Sequence, residues 1–146
     1  MTDTAITVRN NEAVNAISTI MGAEVGSVFC SIEQDGSREN ATKIYNAMNN
    51  PEFRVADFIN KKIEVQDVLI EVREILNEDT GEIARVPRIV LIDTNGKGYQ
   101  ATSVGMHNAI RNAFLAFGPA PWNPALAFEI KQRSTKNGSM LTADVK

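Results

Sequence analysis

Basic and aromatic residues recur side by side in a chain of 146 residues whose formal net charge is −3. Lys43 stands two positions before Tyr45, and Lys97 stands two before Tyr99. Phe53, Arg54, Phe58, Lys61 and Lys62 crowd one stretch, and Lys131, Arg133 and Lys136 follow one another near the C-terminus. Such side chains supply what is needed to hold a single nucleic-acid strand without reading it. Cations neutralise phosphates, and aromatic faces stack on bases, at about 1–3 kcal/mol per base whatever the base. On an extended strand, residues two apart share a face. The pairs Lys43/Tyr45 and Lys97/Tyr99 are therefore the leading candidates for joint phosphate and base contact. The other reading of Tyr45 is an amphipathic ring packed at the rim of a sheet. Either Phe53 or Phe58 could stack on a base, and a long loop needs the other as its apolar anchor.

Catalytic chemistry finds little to work with. His107 is the sole histidine and falls beside Asn108, Arg111 and Asn112 on a helical face that reads as solvated. Cys30 is alone, which excludes an intrachain disulfide and a thiolate metal site, and the carboxylates form no ligand cluster. No Gly-x-x-x-x-Gly-Lys-Ser/Thr loop is present. The expectation is a protein with no enzymatic activity and no cofactor. The acidic balance excludes coating of nucleic acid by bulk charge, so binding must come from local patches. Charge is segregated along the chain. Glu64, Asp67, Glu71, Glu74, Glu78, Asp79 and Glu82 concentrate in one strand and its turn and read as a solvent face, while the cations above fall elsewhere.

The elements that must carry these residues follow from periodicity. The 43% apolar content supports one folded domain. Residues 1–25 stand apart as an arm or short helix with Val14, Ile17, Ile20 and Met21 at helical spacing. Because the rest reads as a complete barrel, this stripe is expected to dock on a neighbouring copy, and residues 26–146 are expected to form the binding domain. Val28, Cys30 and Ile32 alternate. Residues 42–48 read as the first barrel strand, 63–76 as the second, 83–92 as the third, 126–133 as the fourth and 139–146 as the fifth. After the turn Asp93-Thr94-Asn95-Gly96 and a short return through Tyr99 to Thr102, Ser103 caps a helix. Its apolar stripe is Met106, Ile110, Ala113, Phe114 and Phe117, and Gly118-Pro119 stops it. Trp122 reads as a cap on the barrel's open end, and Phe128 as core between Leu126 and Ile130. The predicted fold is mainly β, an OB-fold-like five-stranded barrel with one helix between strands 3 and 4, plus an N-terminal extension. In that frame residues 49–62 and 134–138 are the two loops with which such barrels bind oligonucleotides.

In this order the motifs resemble those of the single-stranded-DNA-binding proteins of small protein-primed phages of the phi-29 type, from about Val28 to the C-terminus. Lys43-Ile44-Tyr45-Asn46-Ala47 is similar to that family's Lys-Ile-aromatic-Asn-Ala strand, and Gly81-Glu82 to its Gly-Glu turn. Asp93 to Ser103 is similar to its Asp-Gly turn, tyrosine and capping serine, and Ser134 to Gly138 to its closing turn. The Asp-Gly turn is stretched here, and residues 1–25 are extra. The resemblance implies a sequence-independent protein that coats and protects displaced single-stranded DNA during phage replication in the host cytoplasm. From its own apolar stripe, the segment of residues 1–25 is expected to carry self-association, and no membrane partner is expected. A virion assembly module that never touches nucleic acid is the competing class. It has no reason to concentrate cations and rings in residues 43–62.

Overall fold

The computed structural model describes residues 12–136 and 138–146. The longest apolar alternation in the chain makes its longest strand, β3 (Lys62–Leu76), and the sheet is organised around it. Ile63, Val65, Val68, Ile70 and Val72 all point into the main core, with the phase corrected by a register shift between Val65 and Asp67. That irregularity bends the strand, so its two halves serve different neighbours. β4 (Ile83–Asp93) pairs antiparallel along nearly all of it. On the other edge, β6 (Leu126–Thr135) takes positions 62–65, and the short β1 (Val28–Cys30) takes positions 69–71. β5 (Gly98–Thr102) continues from β4 and is flanked by the two-residue β2 (Phe53–Arg54), while β7 (Gly138–Val145) hairpins back along β6.

The result is a curled, OB-like half-barrel in which β3, β4, β5, β6 and β7 are the five barrel strands. Helix α3 (Val104–Phe117) lies between the third and fourth of them. Ser103 accepts from the Met106 amide as the sequence predicts, and Gly118 ends the helix at φ 87°, a conformation open chiefly to glycine. Met106, Ile110, Ala113 and Phe114 bury in the core, but Phe117 stays exposed. α3 packs against β7 across the open side of the barrel. The approach is so close that a Cβ on Gly105 would collide with the Leu141 carbonyl oxygen and stand 2.7 Å from Met140 Cγ. Trp122 is structural, as its place between helix and strand predicts. It is buried between Phe114 and Phe128, its indole donating to the Gly118 carbonyl at 2.9 Å.

The structure corrects several sequence expectations. Residues 42–48 are not a strand but part of helix α2 (Arg38–Asn49), capped by Ser37, whose hydroxyl accepts from the Asn40 amide at 3.2 Å. Ile44 and Ala47 press this helix onto Ile32, Leu69, Val90 and Ile92 on the outer face of the sheet, a second small core. The barrel frame therefore moves along by one strand. β3 is its first strand, β5 its third, and the first ligand loop of such a barrel corresponds to the acidic turn at residues 77–82, not to 49–62.

His107 is buried, not solvated, and its Nε2–H donates to the Ile17 carbonyl at 2.8 Å. Its partner belongs to the N-terminal helix α1, residues 12–19, whose Ile17, followed by Ile20 in the next turn, lies in the main core. Each fully buried isoleucine contributes about 1.5–3 kcal/mol relative to exposure. The stripe expected to dock on a neighbour docks on its own chain, helped by Arg111 Nε donating to Ser18 Oγ at 3.1 Å and by Arg85 donating to the Ala23 carbonyl. Residues 1–11 of the predicted arm lie outside the described residues.

Candidate nucleic-acid interface

Asp93 closes the turn between β4 and β5 by accepting from the amides of Asn95 and Lys97, at 2.8 and 3.0 Å, through one carboxylate oxygen. Its other oxygen accepts from the Tyr99 hydroxyl at 2.9 Å. Burial, and then this bond, push the Tyr99 phenol up to about 12. β2 pairs parallel with β5 so that Phe53 stands beside Tyr99, and their rings stack at 4.9 Å with an interplanar angle of 27°. The single 3-10 turn Val55–Phe58 then swings Phe58 edge-on to both, 5.5 Å from Phe53 and 5.0 Å from Tyr99. Lys97 Nζ lies 6.0 Å from the Phe53 ring centroid, and Lys61 Nζ 5.8 Å from that of Phe58. Phe53 and Phe58 are half-buried, and both lysines are exposed.

The predicted pairing of Lys97 with Tyr99 is thus replaced by Lys97 with Phe53. Tyr99 is only 9% exposed and its faces are taken, so its part is to back the Phe53 ring. Lys43 and Tyr45 separate, because residues two apart on a helix do not face each other. Lys43 bridges to Glu39 at 3.6 Å and lies beside Asp67, whereas Tyr45 is 62% exposed on another side of α2. Arg54 is held by Asp57 at 3.0 Å.

From this ring cluster beside the β4–β5 turn, the mouth of the barrel, the cations continue onto β6. The Asn60 amide donates to the Ile130 carbonyl at 2.7 Å, and the Ile130 amide to Lys61 at 3.0 Å. Lys62 faces Glu129 in register. Lys131 lies 2.6 Å and Lys146 4.0 Å from the same carboxylate, and the hydrogen bond from Lys131 holds Glu129 below the usual carboxylate range. The three lysines share this patch with two carboxylates, Glu129 and, opposite it in register, Asp144. Arg133 and Lys136 lie exposed farther along the hairpin. Sequence reasoning missed Asp93 and Lys146. The Asp93-x-Asn95-Gly96 spacing was a signal for the first, since an aspartate commonly closes its own turn. Glu71, expected on a solvent face, is half-buried and pairs with buried Arg88 at 3.4 Å.

Among the described residues, no group of three or more His, Cys, Asp or Glu side chains is placed to hold a metal ion. No described helix is long and apolar enough to cross a membrane. An OB-like barrel with half-buried rings and exposed lysines at one end has the makings of an oligonucleotide-binding module. The comparison with known families is specific. The family model described as "Phage Single-stranded DNA-binding protein" matches residues 23–145, and the chain belongs to that family. It binds single-stranded DNA in phage replication. No curated protein and no solved structure matches the chain.

Proposed function

We propose that a single strand crosses the barrel mouth, with bases stacking on Phe53 and Phe58 and phosphates passing Lys97 and Lys61. The observation that carries this reading is the Phe53–Tyr99 stack at 4.9 Å flanked by Lys97. A ring already fixed by a neighbour loses little freedom on meeting a base, and a ring with a cation beside it is next to a phosphate counter-charge. From the mouth the path extends to Lys62, Lys131, Arg133 and Lys136 on one side. On the other it crosses the end of α2 toward Tyr45, with Lys43 as a flanking cation. Arg54 contributes less because Asp57 already neutralises it.

No contact in this scheme selects a base strongly, so binding is sequence-tolerant, suited to coating and protecting strands displaced during replication. The protein acts without catalysis or a cofactor, in the host cytoplasm. Residues from 23 onward form the binding unit, and the helix before them is a buttress. With Ile17 and Ile20 in the core, self-association through residues 1–25 is left to residues 1–11 and the exposed positions that follow. Light scattering on protein lacking residues 1–11 tests it.

The interface is tested by anisotropy titration with labelled single- and double-stranded oligonucleotides at two salt concentrations. Expected are preference for the single strand and an affinity that falls with salt. Equal affinity for duplex together with a flat salt response refutes the proposal.

A further inference from the structure

Beside the aromatic mouth is a cavity of about 380 Å³ with mainly polar walls. Asn46, Ala47 and Asn50 from the end of α2 form one wall, and Pro51, Glu52, Gly96, Lys97 and Gly98 complete it. The size suits one nucleotide unit, being at the small end of ligand cavities, which run from about 300 Å³. Its shape is set by backbone packing. A Cβ on Gly98 would stand 3.0 Å from Val90 Cγ1 and 3.2 Å from Pro51 Cβ, so the chain leaving α2 sits closer to β5 than most side chains allow. Lys97 belongs to both places, with Nζ 3.8 Å from the Glu52 carboxylate and 6.0 Å from the Phe53 ring centroid.

Glu52 is the informative residue. A carboxylate beside a path for phosphates repels them, and an ionised carboxylate can only accept hydrogen bonds. Lys97 offsets the repulsion, and the accepting capacity is left for a donor. Cytosine, adenine and guanine carry exocyclic amino donors, whereas thymine presents a carbonyl oxygen where cytosine has its amino group. The exposed amides of Asn46 and Asn50 both donate and accept, so they tolerate either. We infer that this cavity is a base subsite next to the stacking rings, with Lys97 on the adjoining phosphate and Glu52 accepting from an exocyclic amino group. The consequence is a modest preference for amino-bearing bases over thymine, superimposed on sequence-tolerant binding.

The inference rests on the strand crossing the mouth, and the test separates the two. Affinities for oligo-dC and oligo-dT of equal length are measured for the wild type, Glu52→Gln and Glu52→Ala, each first shown to be folded by thermal melting. The wild type is expected to favour dC by about fivefold, the low end of what one base-edge contact contributes. Both variants are expected to bring the ratio close to one, without loss of dT affinity. Equal binding of the two strands by the wild type, or an unchanged ratio in both variants, overturns the subsite and leaves the mouth standing. Failure of the folded wild type to bind either strand overturns the mouth as well.

Discussion

Replacing Phe53 by leucine removes the one ring that is stacked on a fixed neighbour, approached by a lysine and still half-exposed. Leucine keeps apolar bulk at the site but loses two aromatic pairs, with Tyr99 and with Phe58. At about 0.5–1.5 kcal/mol per pair, the fold loses about 1–3 kcal/mol, which a domain of ordinary stability survives. The stacking face lost to DNA is a separate quantity of about 1–3 kcal/mol, so the dissociation constant should rise about 5- to 150-fold. Denaturant unfolding first establishes that the variant is folded, and anisotropy titration of a labelled oligonucleotide at several salt concentrations gives affinity and salt slope together. The slope should stay at its wild-type value, because no phosphate contact has been removed. A folded Phe53→Leu protein with wild-type affinity refutes the stacking role. A lower slope with little loss of affinity would mean that the substitution acted through Lys97.

Lys61→Ala combined with Lys62→Ala should weaken binding alike on all sequences and lower the log–log salt slope by about 1.4, two contacts at about 0.7 each for a single strand. Titration of two unrelated sequences checks it, and a sequence-selective loss contradicts it. Gly105→Ala should destabilise despite the roughly 1 kcal/mol of helix propensity that alanine gains, since moving α3 off the Leu141 carbonyl costs about 1–3 kcal/mol or more. A raised melting temperature would show that the α3–β7 approach can relax. Removing residues 1–22 strips Ile17 and Ile20 from the core and should cost about 3–6 kcal/mol. Unchanged stability in denaturant would make the helix dispensable. Tyr99, raised to about 12 by burial and its bond to Asp93, ionises later in the folded chain than near 10 in the unfolded one. The unfolded chain then binds fewer protons between those values, so stability should fall as pH rises from about 10 to 12. Tyr99→Phe should make that alkaline fall shallower, leaving the part contributed by the buried Cys30 thiol, as read from unfolding midpoints against pH.

The strands and α3 were legible because their signals are local. β3, β4 and β6 carry alternation over long runs, and Ser103, the 106–110–113–114 stripe and Gly118 define a helix without reference to anything distant. Helix α2 was misread because Ile44 and Met48, four apart, satisfy both a period of two and a helical period within a window of seven residues. Only Ser37 as a cap favoured the helix. Residue types alone pointed to the cations and rings from which the proposed interface is built, since phosphate and base chemistry restrict the choice to them. Which of them act together was decided by tertiary structure. Parallel pairing of β2 with β5 put Phe53 on Tyr99, and the turn at Val55–Phe58 brought in Phe58. The helical twist of α2 parted Lys43 from Tyr45. His107 read as solvated because its polar neighbours in sequence are exposed, but its acceptor lies ninety residues away on α1. Hydrogen-bond partners and covered faces depend on which elements pack together, and spacing along one element does not encode that.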